Sequence, residues 1–244
     1  MRVNYATNVI ENLNPEKIAL YTNYWNAVTP ADSLSELKAG VFAILSVHTT
    51  WQSNVAAFKH LTSQLDLFKA DTTQIQKAVK EGKVGLYKIR TKGISDLQNW
   101  FNSGEARKHI LESVEAETGF FLRNAIHSKI CGLGPAKSSF FTELLFPTDP
   151  NLNVTCLDTH MLQLYDMPKS GLSWSEYREA ERHWVTTCRE NGIPPFIARQ
   201  IYWDEKQNQS SPRYWSSCFE CADTIDPEII AQFEGATLET DSDG

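Results

Sequence analysis

Long apolar runs are missing from this 244-residue chain. No stretch approaches the roughly eighteen apolar residues that a membrane-spanning helix needs. The opening residues, Met1-Arg2-Val3-Asn4-Tyr5-Ala6, also lack the apolar centre of a signal peptide, so a soluble cytoplasmic chain is expected. Cysteine is sparse, at five residues: Cys131, Cys156, Cys188, Cys218 and Cys221. An odd number in an intracellular chain points to buried thiols and away from a disulfide framework. Cys218-x-x-Cys221 raises a metal site, but two further ligands are needed, with Cys188 and His183 as candidates; no metal and no cofactor are expected. Segments alternating apolar with polar residues are absent as well, and no internal repeat occurs. The lack of alternating segments points to an all-α fold.

What the chain does have is a globular composition, 41% hydrophobic with seven Trp, under a net charge of -7. That charge is unevenly spread. Residues 77–137 hold eleven Lys or Arg against six acids, a balance of +5, whereas residues 138–244 hold seven against eighteen, a balance of -11. A basic middle segment suits an anionic partner, and the acidic remainder weakens non-specific attraction and makes affinity fall with salt.

Helical periodicity runs through most of the sequence. Pro15 and Pro30 break the first segment, where Tyr21, Tyr24 and Trp25 pack a short helix onto the body. Ser33-x-x-Glu36 reads as a capping box, followed by Leu34, Leu37, Val41, Ile44 and Leu45 at helical spacing in a helix ending near Val47. A second helix carries Trp51, Val55, Phe58, Leu61 and Leu65; Asp71 caps a third, which Gly82 closes. Helices over 86–101 and 105–117 follow, the latter with Ile110 and Val114 on one side. Ser173-x-x-Glu176 caps a helix running to Asn191-Gly192. Pro194-Pro195 starts the next, ending at Ile201-Tyr202-Trp203, and Pro212 introduces Tyr214-Trp215. The tail, 237–244, is acidic and expected to be disordered.

The densest local signal is Gly132-Leu133-Gly134-Pro135-Ala136-Lys137-Ser138. A helix ends before it, two glycines frame one apolar residue, and Pro135 opens a new helix. Free amides at that helix start, with Lys137 one turn in, suit a phosphate. Two nucleotide motifs are excluded. A P-loop requires four residues between its second glycine and the lysine, and here there are two; a dinucleotide fingerprint requires a third glycine near Lys137. Downstream, Leu157-Asp158-Thr159-His160-Met161 delivers one carboxylate where another helix begins.

The hairpin followed about twenty residues on by Asp158 resembles the helix-hairpin-helix and catalytic aspartate of the endonuclease III-like DNA glycosylase superfamily. Ile44-Leu45-Ser46-Val47-His48-Thr49-Thr50-Trp51-Gln52-Ser53-Asn54-Val55 resembles the "ILTQNTxWxNV" helix junction of that superfamily, and Gly85-Leu86-Tyr87-Lys88-Ile89-Arg90-Thr91-Lys92-Gly93-Ile94 its "GxYRxKAxxI" segment. Order and spacing agree across residues 34–165. The resemblance implies two helical subdomains flanking a cleft, within one domain over 1–236: a core at about 32–165, and C-terminal helices at about 173–222 packed with the N-terminal segment.

It also implies an activity: hydrolysis of the N-glycosidic bond of a flipped-out damaged or modified base in duplex DNA. Asp158 is then the catalytic carboxylate, stabilising positive charge on the sugar. Gly132, Leu133, Gly134, Ala136, Lys137, Ser138, His48, Thr49, Lys88 and Arg90 are the expected DNA contacts. Trp51, Tyr87 and His160 are the expected pocket residues. Bifunctional relatives place a Schiff-base lysine two residues after the second hairpin glycine, where this chain has Ala136; Lys137 is rotated by about 100 degrees from it. A monofunctional, monomeric enzyme is expected, with weak or absent strand cleavage, in the cytoplasm, nucleoid or phage-infected cell. Two other readings stay open: a phage-type enzyme that transfers a group onto a modified pyrimidine without excision, and a non-catalytic DNA-binding protein. Val47 and His48 stand where relatives often have Gln-Asn.

Overall fold

The computed structural model describes residues 3–115 and 119–208, and among them twelve helices and no strand. Cys218, Cys221, Pro212, Tyr214, Trp215 and the tail 237–244 lie outside the described residues, as does the end of the 105–117 helix. The chain divides into two compact units, Pro30–Leu145, and Met1–Thr29 with Phe146–Gly244.

The Pro30–Leu145 unit is built around α3 (Ser33–Leu45), which packs against α4 (Trp51–Gln64), α6 (Tyr87–Asn102) and α9 (Pro135–Leu145). Every residue of α3 from Ala39 to Leu45 is buried; a helix apolar on all sides has no stable place but a core. Gly40 makes the contact possible, because a Cβ there would stand 2.7 Å from Leu97 Cδ2 and 2.8 Å from Phe141 Cζ. Phe42 meets Trp51 and Phe58 edge-on at 5.3 and 5.4 Å between ring centres. Phe42 and Phe58 are fully buried, and each contributes about 1.5–3 kcal/mol. Outside these helices lie α5 (Thr72–Glu81), capped by Asp71 and closed by Gly82, which packs on α4 and α6, then α7 (Glu105–Glu115) on α6 and α8 (Gly119–Lys129) on α9.

Three expectations shift in this unit. The N-cap of α3 is Asp32, one residue earlier than the Ser33 reading, with Ser35 completing the box. That frees Glu36 to turn inward onto Arg107, and Leu34 stays exposed. In α7, Ile110 is buried, but Val114 is 56% exposed and Ser113 takes the inward position. Leu86 lies outside α6 as its N-cap.

The second unit joins α1 (Val3–Glu11) and α2 (Pro15–Val28) to α10 (Thr159–Leu164), α11 (Trp174–Glu190) and α12 (Pro195–Lys206). Pro15 does not break a helix but opens one, at N1 behind the Asn14 cap, where its missing N–H is harmless. Tyr21, Tyr24 and Trp25 are buried, Trp25 edge-on to Phe196 at 4.7 Å. Helix α1 packs on α11, and both α2 and α10 pack on α12. Tyr21 donates to the buried Asp204 at 2.9 Å, and burial with that carboxylate pushes its phenol pKa upward. No described helix is long and apolar enough to cross a membrane.

Candidate DNA-binding and catalytic site

The hairpin between α8 and α9 is held from three sides. Ile130 and Leu133 are buried and anchor the turn. His127 Nδ1 donates to the Leu133 carbonyl at 2.8 Å, and Asp96 accepts from the Cys131 amide at 3.1 Å while paired with Lys92 at 2.9 Å. Close backbone approach sets the residue types. A Cβ on Gly93 would stand 2.5 Å from the Cys131 carbonyl, whereas Gly132 takes φ +84° with Ile89 beside it.

Nothing lies within 4 Å of the Cβ position of Gly134, so its outer side is open to a ligand. The first α9 bond runs from Ser138 N to Gly134 O at 2.9 Å, so the amides of Ala136 and Lys137 precede the ladder, as an anion site at a helix start requires. An open recess of about 510 Å³ lies against this turn, lined among others by Lys92, Asp96, Lys129, Gly132 and Gly134. Lys137 is half-buried with Nζ 5.1 Å above the Phe140 ring. Ser138, expected among the DNA contacts, is fully buried, and its hydroxyl donates to the Leu133 carbonyl at 3.4 Å. Its part is structural because the first turn of α9 directs that side chain inward.

Two loops of the same unit carry the other expected contacts. His48 is exposed at φ 50°, and Thr49 is half-buried. Leu86, at φ 45°, is 44% exposed beside the exposed Tyr87 and Lys88. Lys80 sits 4.8 Å over the Tyr87 ring. Trp51 is half-buried at the first position of α4. Arg90 departs from expectation: its guanidinium is buried and donates to Val47 O, Thr49 Oγ1, Val84 O and Gly85 O. It faces protein carbonyls and is not available to a phosphate. Burial pulls its pKa below the usual arginine value.

Asp158 is the N-cap of α10. Its Oδ1 accepts from the amides of His160 and Met161 at 2.9 and 3.0 Å, so one oxygen is committed to the helix start. The other, Oδ2, lies 3.6 Å from the Arg199 guanidinium, with the carboxylate side chain 16% exposed. Arg199 was not foreseen. It comes from α12, is itself 2% exposed, and lies 5.2 Å over the Phe196 ring. The signal was present in the sequence, since Arg199 is a lone charge in the apolar run Phe196-Ile197-Ala198-Arg199-Gln200-Ile201. Nearby Tyr202 has its phenol pushed up to about 12, by burial first and then by the negative charges of Tyr5, Asp158 and Glu205. His160 turns toward the end of α12: its Nε2 accepts from Gln207 at 2.7 Å, and its ring meets Trp203 edge-on at 6.4 Å.

Of the proposed metal ligands, Cys188 is buried with its thiol pKa raised by burial, and His183 is bracketed by Thr7 and Tyr165 at 3.1 and 2.8 Å. Among the described residues no three His, Cys, Asp or Glu gather as a metal site would need.

No protein-family model matches the sequence, and no curated protein matches it. Solved structures do. The 8-oxoguanine DNA glycosylase of Methanocaldococcus jannaschii superposes with a TM-score of 0.61 at 19% identity, over 83% of this chain and 88% of that one. The 8-oxoguanine DNA glycosylase of Thermotoga maritima gives 0.61 at 14% identity, over 86% and 94%. The M. jannaschii 8-oxoguanine glycosylase/lyase bound to a 15mer DNA containing 8-oxoguanine gives 0.66 at 17%, over 85% and 97%. The chain therefore has the helix-hairpin-helix DNA glycosylase fold, as its motifs led one to expect. Nothing in these likenesses favours a phage-type member.

Proposed function

We propose that this protein is a DNA glycosylase that removes a damaged or modified base from duplex DNA by hydrolysis, with little or no strand cleavage. The observation that carries the reading is the Asp158 carboxylate in a chain of this fold: one oxygen is held by two backbone amides, and the other lies 3.6 Å from the Arg199 guanidinium, in a side chain that keeps 16% exposure. The target base is unstacked and turned out of the helix, which costs a few kcal/mol, least at a lesion. The hairpin amides at Ala136 and Lys137 hold a backbone phosphate and carry no sequence information. Asp158 Oδ2 then stabilises the cationic sugar as the base leaves, and it orients the water that attacks. Arg199 holds that carboxylate in place from its far side.

Ala136 supports the hydrolytic reading, since it supplies no amine at the position used by bifunctional relatives, and Lys137 points across Phe140. The likeness to 8-oxoguanine enzymes puts that base first in the panel to be tried, followed by uracil, alkylated and hydroxymethylated bases. Mass spectrometry of the reaction should show free base and an abasic strand, without a borohydride-trapped covalent complex. A strand of changed mass would mark group transfer in place of excision. In Asp158→Asn the single-turnover rate should fall about a hundredfold or more, while duplex affinity and folding persist because asparagine also caps helices well. Full activity in that variant would refute the mechanism.

A further inference from the structure

Arg90 is buried, with its two terminal guanidinium nitrogens committed to protein oxygens. Its one guanidinium donates to two oxygens on each of two loops: Val84 O and Gly85 O in the α5–α6 turn, and Val47 O and Thr49 Oγ1 in the α3–α4 junction. Thr49 Oγ1 in turn donates to Val47 O at 3.0 Å. Both loops hold backbone that side-chain-bearing residues seldom adopt, at His48 (φ 50°), Lys83 (φ 56°) and Leu86 (φ 45°). Strained conformations of this kind persist only where the surroundings over-determine them, and they concentrate at functional sites. The residues presented at the loop tips, His48, Leu86, Tyr87 and Lys88, are exposed, and Ile89 touches the hairpin at Gly132.

We propose that Arg90 is a positioning residue: its guanidinium joins the two loops into one rigid ridge beside the hairpin, and this ridge, with His48 and Leu86 at its tips, is what meets the duplex. The identity of the ligand rests on the function proposed above; the joining of the loops does not. Arginine is required because its planar fork presents five donors in fixed directions, whereas lysine is a compact point charge that cannot span two pairs of acceptors. The arrangement also gives the buried guanidinium of Arg90 hydrogen-bond partners in place of water.

Two variants separate this role from general packing. Arg90→Lys keeps the charge and loses the bridge. Thr49→Val removes one acceptor on the α3–α4 side, and its side chain reaches the α5–α6 turn through Arg90. Hydrogen–deuterium exchange and affinity for an undamaged, fluorescently labelled duplex are measured on the full chain. In both variants, amides at 46–50 and at 82–88 should exchange about tenfold faster or more while α3 and α9 remain protected. Duplex affinity should fall about tenfold in Arg90→Lys and less in Thr49→Val. Unchanged loop exchange, acceleration spread evenly over the unit, or Thr49→Val acting only on its own loop would each overturn the proposal, as would unchanged affinity once the loops are loosened. If Arg90→Lys does not fold, Thr49→Val decides by the same readings. Should wild-type protein fail to bind duplex, the proposed function fails, and exchange alone reports whether Arg90 joins the loops.

Discussion

Arg199 and Asp158 set two opposing effects against each other. A cation 3.6 Å from the carboxylate offsets part of the negative charge that the proposed mechanism asks of Asp158, yet it also fixes the oxygen to which that mechanism assigns the work. Orientation should win, because Asp158 Oδ1 is already tied to two amides and Oδ2 has a buried guanidinium as its remaining constraint on that side. Displacement of a reacting group by about 1 Å is enough to cost a hundredfold in rate. Arg199→Gln should therefore lower the single-turnover rate of base release about tenfold or more, with duplex affinity nearly unchanged and partial recovery in Arg199→Lys. A rate equal to wild type would limit Arg199 to packing. At this scale the sequence was informative about Asp158, whose position between a hairpin and a helix start is a linear pattern. It was silent on Arg199, because the partner of a carboxylate forty-one positions away is set by how α10 and α12 pack.

At the scale of single elements, α6 begins in an unusual way. Its N-cap, Leu86, is left-handed and offers no side-chain hydrogen bond to the helix start. Glycine adopts that conformation without strain, so Leu86→Gly should stabilise the fold by about 1 kcal/mol and raise the melting temperature by a few degrees. The same change removes an exposed apolar side chain from the ridge, so duplex affinity should drop. Higher stability with unaltered affinity would show that the strain serves no binding role. Helix ends were largely legible from sequence where one residue dominates, as at Asp71, Gly82, Ser173 and Gly192. At α3 the cap is Asp32 and not the expected Ser33 beside it, because its box uses Ser35 and releases Glu36 for Arg107. The inward turn of Ser113 in place of Val114 was not legible either, since a weakly apolar helix gives its neighbours the choice of face.

For the molecule as a whole, the acidic charge falls mainly in the Met1–Thr29 and Phe146–Gly244 unit, which has nine Lys or Arg against nineteen acids; the hairpin unit has fourteen against eleven. Global stability should carry a signature of the first of these. His183 is bracketed by Thr7 and Tyr165, and burial, partly countered by Glu190, holds its pKa below the ordinary 6.5. The unfolded chain therefore takes up the proton first on acidification, so this contribution is complete above 6.5 and is lost as pH falls through the lower folded value. Melting temperature should decline from about pH 7.5 to 5.5, and less steeply in His183→Gln. Glu36, whose carboxyl is raised by burial against the pull of Arg107, has the opposite sign, and it cancels in the comparison of the two proteins. The all-helical class, the hairpin and the aspartate were determined by the sequence alone, because periodicity, glycine placement and capping are local properties of neighbouring residues. Which cations are free was decided only by the tertiary structure. Arg90 and Lys88 are two positions apart and look alike in sequence, but the direction each side chain takes from α6 leaves Lys88 exposed and ties Arg90 to four oxygens from two loops.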